Sequence, residues 1–181
     1  ICYNCHNSHN NYNNKYYVDS IFIGGGAPSL VDEELVREFM KAIENGFEMS
    51  EDAEISMESN PKTLSETKLR AYLDAGINRL SIGAQSFDDE LLQYMGRIHT
   101  TRDLIQNYKL ARECGFKNIN IDMIFSIPGQ TKESWIDSLE QAAALEPDHI
   151  SFYSLQIEEG TPFFSMLKSG ELAEADDELD R

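Results

Sequence analysis

The chain has 181 residues, of which 41% are hydrophobic and 26% are charged, which is enough for one globular domain with a sizeable core. Its formal net charge is −17, from 32 acidic and 15 basic side chains, and because an acidic surface repels phosphate backbones we expect no nucleic-acid partner. No apolar run is long enough to cross a membrane as a helix, and we expect no signal peptide.

The chain has three cysteines, an odd number without the spacing of a secreted disulfide framework, so we expect a reducing compartment and a cytoplasmic protein. Cys2 and Cys5 form a C-x-x-C pair, which is compatible with an iron–sulfur cluster, a zinc site or a redox dithiol. His6 and His9 favour zinc. The polar residues 6–14 predict a loop, whereas a thioredoxin-like pair begins a helix.

Apolar segments of strand length alternate with amphipathic segments of helical period from residue 18 onward. The predicted strands are 18–23, 53–57, 77–83, 118–125 and 149–155. The predicted helices are 31–45, 64–75, 88–95, 101–114 and 132–145. This alternation predicts an α/β fold with a parallel sheet and right-handed crossovers. Five such units are too few for a closed eight-stranded barrel, so we predict a partial barrel.

Four pairs of residues precede the predicted helices at the spacing of a capping box, in which a hydroxyl side chain and an acid three residues later cap each other's backbone. The pairs are Ser29/Asp32, Thr63/Glu66, Ser86/Asp89 and Thr100/Asp103. Because all four agree with the apolar periodicity, we predict that helices begin at these hydroxyl residues.

Glycines or polar residues occupy the ends of the predicted strands, where chemistry collects in parallel α/β folds. They are Gly24-Gly25-Gly26, Glu58, Gln85, Asp122 and Tyr153. The three glycines form either a tight turn or a loop whose backbone N–H groups bind anionic oxygens, and both alternatives stay open. Their spacing excludes the dinucleotide fingerprint G-x-G-x-x-G. We therefore predict a ligand site at one rim of the sheet.

Asp122 is the most informative of these residues because it interrupts an apolar run, where an unpaired charge is costly to bury. We favour a ligand-binding role over a buried ion pair with Arg79 or Arg97. Gln85 is either a ligand-binding amide or a satisfied core amide. Arg97 is either a surface residue or a binding residue whose forked guanidinium holds a carboxylate.

Six short segments occur together, in this order and spacing, in one known superfamily. They are IFIGGGAPS at 21–29, MESNP at 57–61, NRLSIGAQSF at 78–87, GRIH at 96–99, NIDMIFSIPGQ at 120–130 and HISFYSL at 149–155. The set resembles the radical S-adenosylmethionine (SAM) superfamily, in its oxygen-independent coproporphyrinogen III oxidase branch. The resemblance implies a radical SAM core at 1–165, followed by an acidic segment at 166–181 that leads to an absent C-terminal domain.

The resemblance also implies a metal cluster at Cys2 and Cys5. The family motif is C-x-x-x-C-x-x-C, and these residues match its second and third cysteines, so the first would precede Ile1. The three cysteines of the family hold a [4Fe–4S] cluster whose open iron chelates SAM. The implied fold is α/β, a partial (β/α)6 TIM-type barrel of the radical SAM type with the first strand missing. We therefore expect a fragment that is truncated at both ends.

Seven further residues match positions that bind SAM in the family. They are Gly25, Gly26, Ala27, Glu58, Gln85, Arg97 and Asp122. The Gly-Gly-Ala segment is expected to line the methionine of SAM or a second SAM molecule, and the glutamate to bind SAM. The glutamine and the aspartate are expected to bind ribose hydroxyls, and the arginine to face the carboxylate. The alanine departs from the usual threonine of the family.

The branch contains oxidases, which decarboxylate coproporphyrinogen III in porphyrin synthesis, and heme chaperones of the HemW type. Asn7 stands where the oxidases have another cysteine, and residues 151–162 are similar to the chaperones. We therefore favour a heme chaperone that binds SAM and heme and delivers heme to target proteins. The alternative is an oxidase acting on a porphyrinogen, and from another class, a zinc-binding or redox α/β domain.

Overall fold

The computed structural model describes the backbone of residues 2–5 and the full residues 17–171. The strands are β1 (Cys2–Cys5), β2 (Tyr17–Ile23), β3 (Glu48–Ser59), β4 (Arg79–Gln85), β5 (Asn118–Phe125) and β6 (His149–Ser154). The α-helices are α1 (Glu33–Gly46), α2 (Glu66–Asp74), α3 (Asp89–Tyr94), α4 (Thr101–Cys114), α5 (Lys132–Ala144) and α6 (Pro162–Ser169). Two short 3₁₀ turns, Pro28–Leu30 and Pro61–Thr63, follow β2 and β3.

The strands form one sheet in the order β1-β2-β3-β4-β5-β6. Strands β2 to β6 are parallel neighbours joined by crossovers, and β1 pairs antiparallel with β2 at one edge. The five parallel strands curl into a half-barrel with the helices packed on the outside. The predicted partial TIM-type barrel is confirmed. The loop predicted at 6–14 lies outside the described residues, as do the side chains of Cys2 and Cys5.

Alternating side chains give the sheet an apolar face toward the helices and a polar concave face. Leu80 and Ile82 of β4 and Ile119 of β5 are fully buried in the core, which also takes residues from α1, α2 and α4. The intervening positions, including Ser81 and Asn120, line the concave side instead. This division places polar groups inside the half-barrel, where a ligand can reach them.

Three of the four predicted helix starts are wrong. The side chain that caps α1 is Asp32, which accepts from the Glu34 N–H. Helix α2 is capped by Ser65 and helix α3 by Asp88. Only the Thr100/Asp103 pair of α4 forms the predicted reciprocal box among these four.

The hydroxyls of the wrong pairs serve the loops at the strand ends. Ser29 is fully buried, and its Oγ accepts from the backbone N–H of Asn60 at 3.1 Å. Thr63 Oγ1 lies 2.7 Å from the Asn60 carbonyl and donates to it. The Ser29 bond ties the turn after β2 to the turn after β3, and the Thr63 bond closes the turn after β3, so both hydroxyls shape the rim of the sheet.

Strand β3 is longer than predicted, and β1 and α6 are elements that were not predicted. Strand β3 begins at Glu48, five residues before the predicted strand, because Glu48 pairs with Tyr17 although this stretch lacks apolar alternation. Helix α6 was not predicted, although Thr161 caps it and Gly170 ends it in the left-handed conformation. No helix within the described residues is long and apolar enough to cross a membrane.

Candidate functional site

A cavity of about 390 Å³ opens on the concave face, near the carboxyl ends of β3 to β6. It is lined by Phe22, Gly26, Pro28, Glu58, Ser59, Asn60, Arg79, Ser81, Gly83, Gln85, Arg97, Asn120, Asp122, Ile124, Ser151 and Tyr153. Five of the seven predicted SAM-binding residues are in this lining. The other two, Gly25 and Ala27, flank Gly26 in the loop above it. The structure therefore brings the predicted site residues of the described part to one place.

The glycine loop after β2 holds the carboxylate of Glu58 against its backbone. The Gly25 N–H donates to Glu58 Oε2 at 3.0 Å. A Cβ at Gly24 would lie 2.5 Å from the Phe22 ring and 3.0 Å from the Glu58 carboxyl, so no larger residue fits there without movement. Gly25 and Gly26 adopt positive φ angles of 87° and 65°, which suit glycine. The loop is therefore a backbone cradle and not only a tight turn.

Glu58 lies at the end of β3 with its side chain half-buried on the cavity wall. The Glu58 carboxylate accepts one hydrogen bond, from the Gly25 N–H, whereas a carboxylate can accept about four. The remaining capacity is available to a cationic or N–H donor in the cavity.

Gln85 ends β4 in a conformation that is uncommon outside glycine, with a φ angle of 67°. The register between β4 and β5 shifts between Gly83 and Gln85. A Cβ at Gly83 would lie 2.9 Å from Gln85 Nε2, so this glycine leaves room for the amide. No hydrogen bond joins the amide to residues 17–171. A strained residue with a free amide on a cavity wall is typical of a ligand contact.

Asp122 is held by two neutral donors on the concave face. Ser81 Oγ donates to Asp122 Oδ2 at 2.7 Å, and Asn120 Nδ2 donates to Asp122 Oδ1 at 2.7 Å. Neither arginine that was considered as a partner forms an ion pair with it, since Arg79 lies 3.5 Å from Glu54 instead. Among residues 17–171 no cation forms an ion pair with the carboxylate, which faces the cavity, and its free lone pairs are acceptors for ligand hydroxyls.

Arg97 supplies a positive charge to the cavity from the loop between α3 and α4. Burial lowers the pKa of its guanidinium, because the charged form loses hydration. Within residues 17–171 nothing accepts a hydrogen bond from this guanidinium. A half-buried cation without an anion is costly, so the site favours a ligand that carries a carboxylate.

His99 anchors the loop that carries Arg97. The imidazole is 4% exposed, and its Nε2 lies 3.1 Å from the carbonyl oxygen of Ala84 in β4. Burial is the main cause that lowers the pKa of His99, and it outweighs the bond to Ala84. The histidine is a structural link between β4 and the loop, as its burial and bonding require.

Sequence reasoning missed the polar residues deeper on the concave face. Ser81, Asn120 and Ser151 all line the cavity, and Ser81 and Asn120 bond directly to Asp122. A signal was present, because Ser81 and Asn120 lie at strand positions of the same parity as Gln85 and Asp122. Their pairing across strands needs the register, in which Ser81 faces Asn120.

The chemistry of the cavity matches a ligand that is both zwitterionic and rich in hydroxyls. Two carboxylates converge on its walls with the Gln85 amide and the Arg97 guanidinium, which have no partner among residues 17–171, and with the rings of Phe22 and Tyr153. The carboxylates suit an ammonium and hydroxyls, and the guanidinium suits a carboxylate. An amino acid joined to a nucleoside combines these groups in one molecule.

Comparison with known proteins gives concordant matches. The family model of the Radical SAM superfamily matches residues 10–142. The heme chaperone HemW of Bacillus subtilis is 41% identical over 154 residues, which are 84% of this chain and 41% of that protein. The bovine mitochondrial radical S-adenosyl methionine domain-containing protein 1 is 36% identical over 162 residues, 90% of this chain and 37% of that protein. The chain thus spans about 40% of the length of these relatives.

Among solved structures, the coproporphyrinogen III oxidase HemN of Escherichia coli is similar with a TM-score of 0.72 and 29% sequence identity. The match covers 85% of this chain and 39% of that chain. Membership of this family implies a [4Fe–4S] cluster and SAM. The family match, the relatives and the half-barrel with its polar concave face agree that the chain belongs to the radical SAM superfamily.

Proposed function

We propose that the chain is the SAM-binding half-barrel of a HemW-like heme chaperone, which holds a [4Fe–4S] cluster and delivers heme to target proteins. The observation that supports SAM binding most directly is the convergence of Glu58, Gln85, Arg97 and Asp122 on one cavity. The chaperone assignment is supported by the HemW relatives, which are 33% to 42% identical.

The residues of the cavity divide the binding of SAM among them. Glu58, oriented by the Gly25 N–H, binds the ammonium of the methionine part. Arg97 binds the carboxylate, which removes the cost of its unpaired charge. Gln85 and Asp122 bind the ribose hydroxyls.

The glycine loop gives the methionine part of SAM close access to the backbone. Gly25, Gly26 and Ala27 line this part, and the two glycines leave space because nothing lies within 4 Å of a Cβ built on either. Cys2 and Cys5 are the cluster ligands of this chain. When bound there, a [4Fe–4S] cluster supplies the electron for reductive cleavage of the sulfonium. The apolar walls at Phe22, Pro28 and Ile124 exclude water from the bound cofactor.

The second candidate function is an oxygen-independent coproporphyrinogen III oxidase. It is favoured by the similarity to HemN at a TM-score of 0.72. The zinc or redox alternative at Cys2 and Cys5 has less support, because residues 10–142, which follow the cysteines, match the family model of the Radical SAM superfamily. Heme, a porphyrinogen and heme-receiving proteins remain the proposed partners. A cytoplasmic location is proposed because the cluster cysteines need a reducing compartment.

The functions separate in one anaerobic experiment on a reconstituted full-length protein that carries all three cysteines of the family motif. Iron and sulfide are incorporated, the metal content is measured, and SAM, dithionite and coproporphyrinogen III are added. We expect an iron-containing protein that binds heme in a titration and forms no decarboxylated product. Decarboxylation would make the protein an oxidase and overturn the chaperone proposal. Zinc in place of iron would overturn the radical SAM proposal itself.

A further inference from the structure

We propose that Asn120 is a positioning residue that fixes the Asp122 carboxylate for ligand hydroxyls, and that His149 and Ser151 in turn fix the amide of Asn120. The inference rests on the proposed function in so far as Asp122 binds SAM. Asn120 itself is 2% exposed. It lies two residues before Asp122 in β5, so both side chains are on the same face of the strand.

The two ends of the Asn120 amide have partners of opposite kind. Its Nδ2 donates to Asp122 Oδ1 and to Ser81 Oγ, both at 2.7 Å. Its Oδ1 accepts from Ser151 Oγ at 3.1 Å and lies 2.5 Å from His149 Nδ1. The reversed amide would point its N–H₂ group at His149 and its oxygen at a carboxylate. The hydrogen-bond partners therefore permit one orientation only.

This orientation sets the direction of every bond in the network. Because the Asn120 oxygen can only accept, His149 Nδ1 must carry the proton. Because Ser81 Oγ accepts from Asn120, its own proton goes to Asp122 Oδ2. Each carboxylate oxygen thus receives one hydrogen bond from a buried neighbour and keeps lone pairs for the cavity.

The consequence for binding is that Asp122 does not have to be ordered by its ligand. A carboxylate that is already held in one rotamer loses less conformational entropy on binding than a free one. Removing the Asn120 amide would leave Asp122 Oδ1 without its donor and release the rotamer. Loss of the Asn120 amide should then lower the affinity for SAM only through its effect on Asp122.

The tautomer of His149 tests the network without any ligand. In ¹⁵N-detected NMR spectra at alkaline pH, we expect His149 protonated on Nδ1 and unprotonated on Nε2. In Asn120→Ala the Nδ1 partner is gone, and the proton should move to Nε2, as in a free imidazole. Protonation on Nε2 in the unchanged chain would overturn the inference, whether or not SAM binds.

A double-mutant cycle tests whether Asn120 acts through Asp122. Asn120→Ala should weaken SAM binding about tenfold in the unchanged chain, and less than about twofold when Asp122→Asn is already present. An equal loss in both backgrounds would overturn the inference. If the unchanged chain binds no SAM, the proposed function fails, and the tautomer alone decides the inference.

A matched control separates positioning from general loss of structure. Asn78 also makes two side-chain bonds, to the Ile55 N–H at 2.9 Å and the Ala53 carbonyl at 2.8 Å, but it is not in the cavity lining. Asn78→Ala should lower the thermal midpoint and leave SAM affinity unchanged. Should Asn120→Ala not fold, Ser151→Ala removes only one bond to the amide, and we expect a two- to threefold loss of affinity. Unchanged affinity in Ser151→Ala would count against the network.

Discussion

At the scale of single residues, the site depends on polar groups that the protein itself leaves incompletely paired. Asp122 receives hydrogen bonds but no cation, and Arg97 has a charge but no anion among the described residues. An ion pair between these two groups would offset the free-energy cost of burying each charge, but they do not form one. A ligand that carries both hydroxyls and a carboxylate can satisfy each of them separately, which is the physical basis of the proposed SAM site.

The first prediction concerns Asp122→Asn. The amide keeps the shape of the side chain but is a poorer acceptor for ribose hydroxyls, so the fold should persist and SAM affinity should fall about tenfold. Calorimetric titration with SAM measures the loss. Asp137→Asn on the exposed face of α5 is the control, since within residues 17–171 the Asp137 carboxylate bonds only to Gln141. Equal affinity of Asp122→Asn and the unchanged chain would remove this residue from the site.

The second prediction concerns pH and His99. Burial lowers the pKa of this histidine in the folded state, whereas the unfolded chain has the ordinary value of 6.5. As the pH falls through 6.5, His99 becomes protonated in the unfolded state but stays neutral in the folded state. The free energy of unfolding therefore decreases by up to about 1.4 kcal/mol per pH unit. His99→Gln keeps an N–H for the Ala84 carbonyl and does not titrate.

Urea unfolding between pH 7.5 and 5.5 measures this effect. The unchanged chain should lose stability over the interval faster than His99→Gln. The interval lies above the range of Asp103, whose pKa is lowered mainly by the hydrogen bond from the Thr100 backbone. Parallel pH profiles for the two proteins would show that His99 is protonated equally in the folded and unfolded states.

At the scale of elements, the turn after β2 packs closely against Glu58 of the neighbouring strand β3. A third prediction follows for Gly24→Ala, where a new Cβ would meet both Phe22 and Glu58. We expect a destabilisation of about 1–3 kcal/mol and weaker SAM binding, because Glu58 must move away from the Gly25 N–H.

Gly46→Ala is the matched control for that change. Gly46 ends α1, nothing lies within 4 Å of a Cβ built there, and its φ angle is not positive. The substitution should leave stability within about 1 kcal/mol and SAM affinity unchanged. If Gly24→Ala behaved like Gly46→Ala in both urea unfolding and SAM titration, the cradle would have no role.

The elements also explain which parts of the fold the sequence could predict. Apolar periodicity located β2 to β6 and α1 to α5, because the residues that each element buries in the core recur at strand or helix spacing within its own stretch of sequence. Local spacing misassigned the caps at Ser29 and Thr63, since Ser29 accepts from the distant Asn60 N–H and Thr63 donates to the Asn60 carbonyl within its own turn. The stretch at Glu48 joins β3 through its partner strand and not through its own pattern.

The same distinction applies to the site. Glu58, Gln85 and Asp122 could be proposed from the sequence because each ends or interrupts a strand. Ser81 could not be connected with them, since its bond to Asp122 depends on the register of β4 against β5. Asn120 lies two residues before Asp122 on the same face of β5, so its position could be inferred from strand parity, but its bond to Ser81 also depends on that register.

At the scale of the whole molecule, the half-barrel turns a polar face inward and an apolar face toward its helices. Such a sheet is unlike a closed barrel, whose interior is filled by bulky apolar layers. Here the interior positions of β4, β5 and β6 include Arg79, Ser81, Asn120, Asp122 and Ser151. The architecture therefore keeps space for a polar ligand inside the fold, in agreement with the superfamily to which the chain belongs.

The most direct test of the proposed SAM site is to map SAM on the chain by NMR. Backbone amide signals are assigned and followed during a titration with SAM. We predict saturable shifts at Gly25, Gly26, Gln85 and Asp122, with little change at Asp89 and Asp137, which line a separate acidic hollow beside α3 and α5. No saturable shifts, or shifts confined to that hollow, would contradict the proposal that the concave cavity binds SAM.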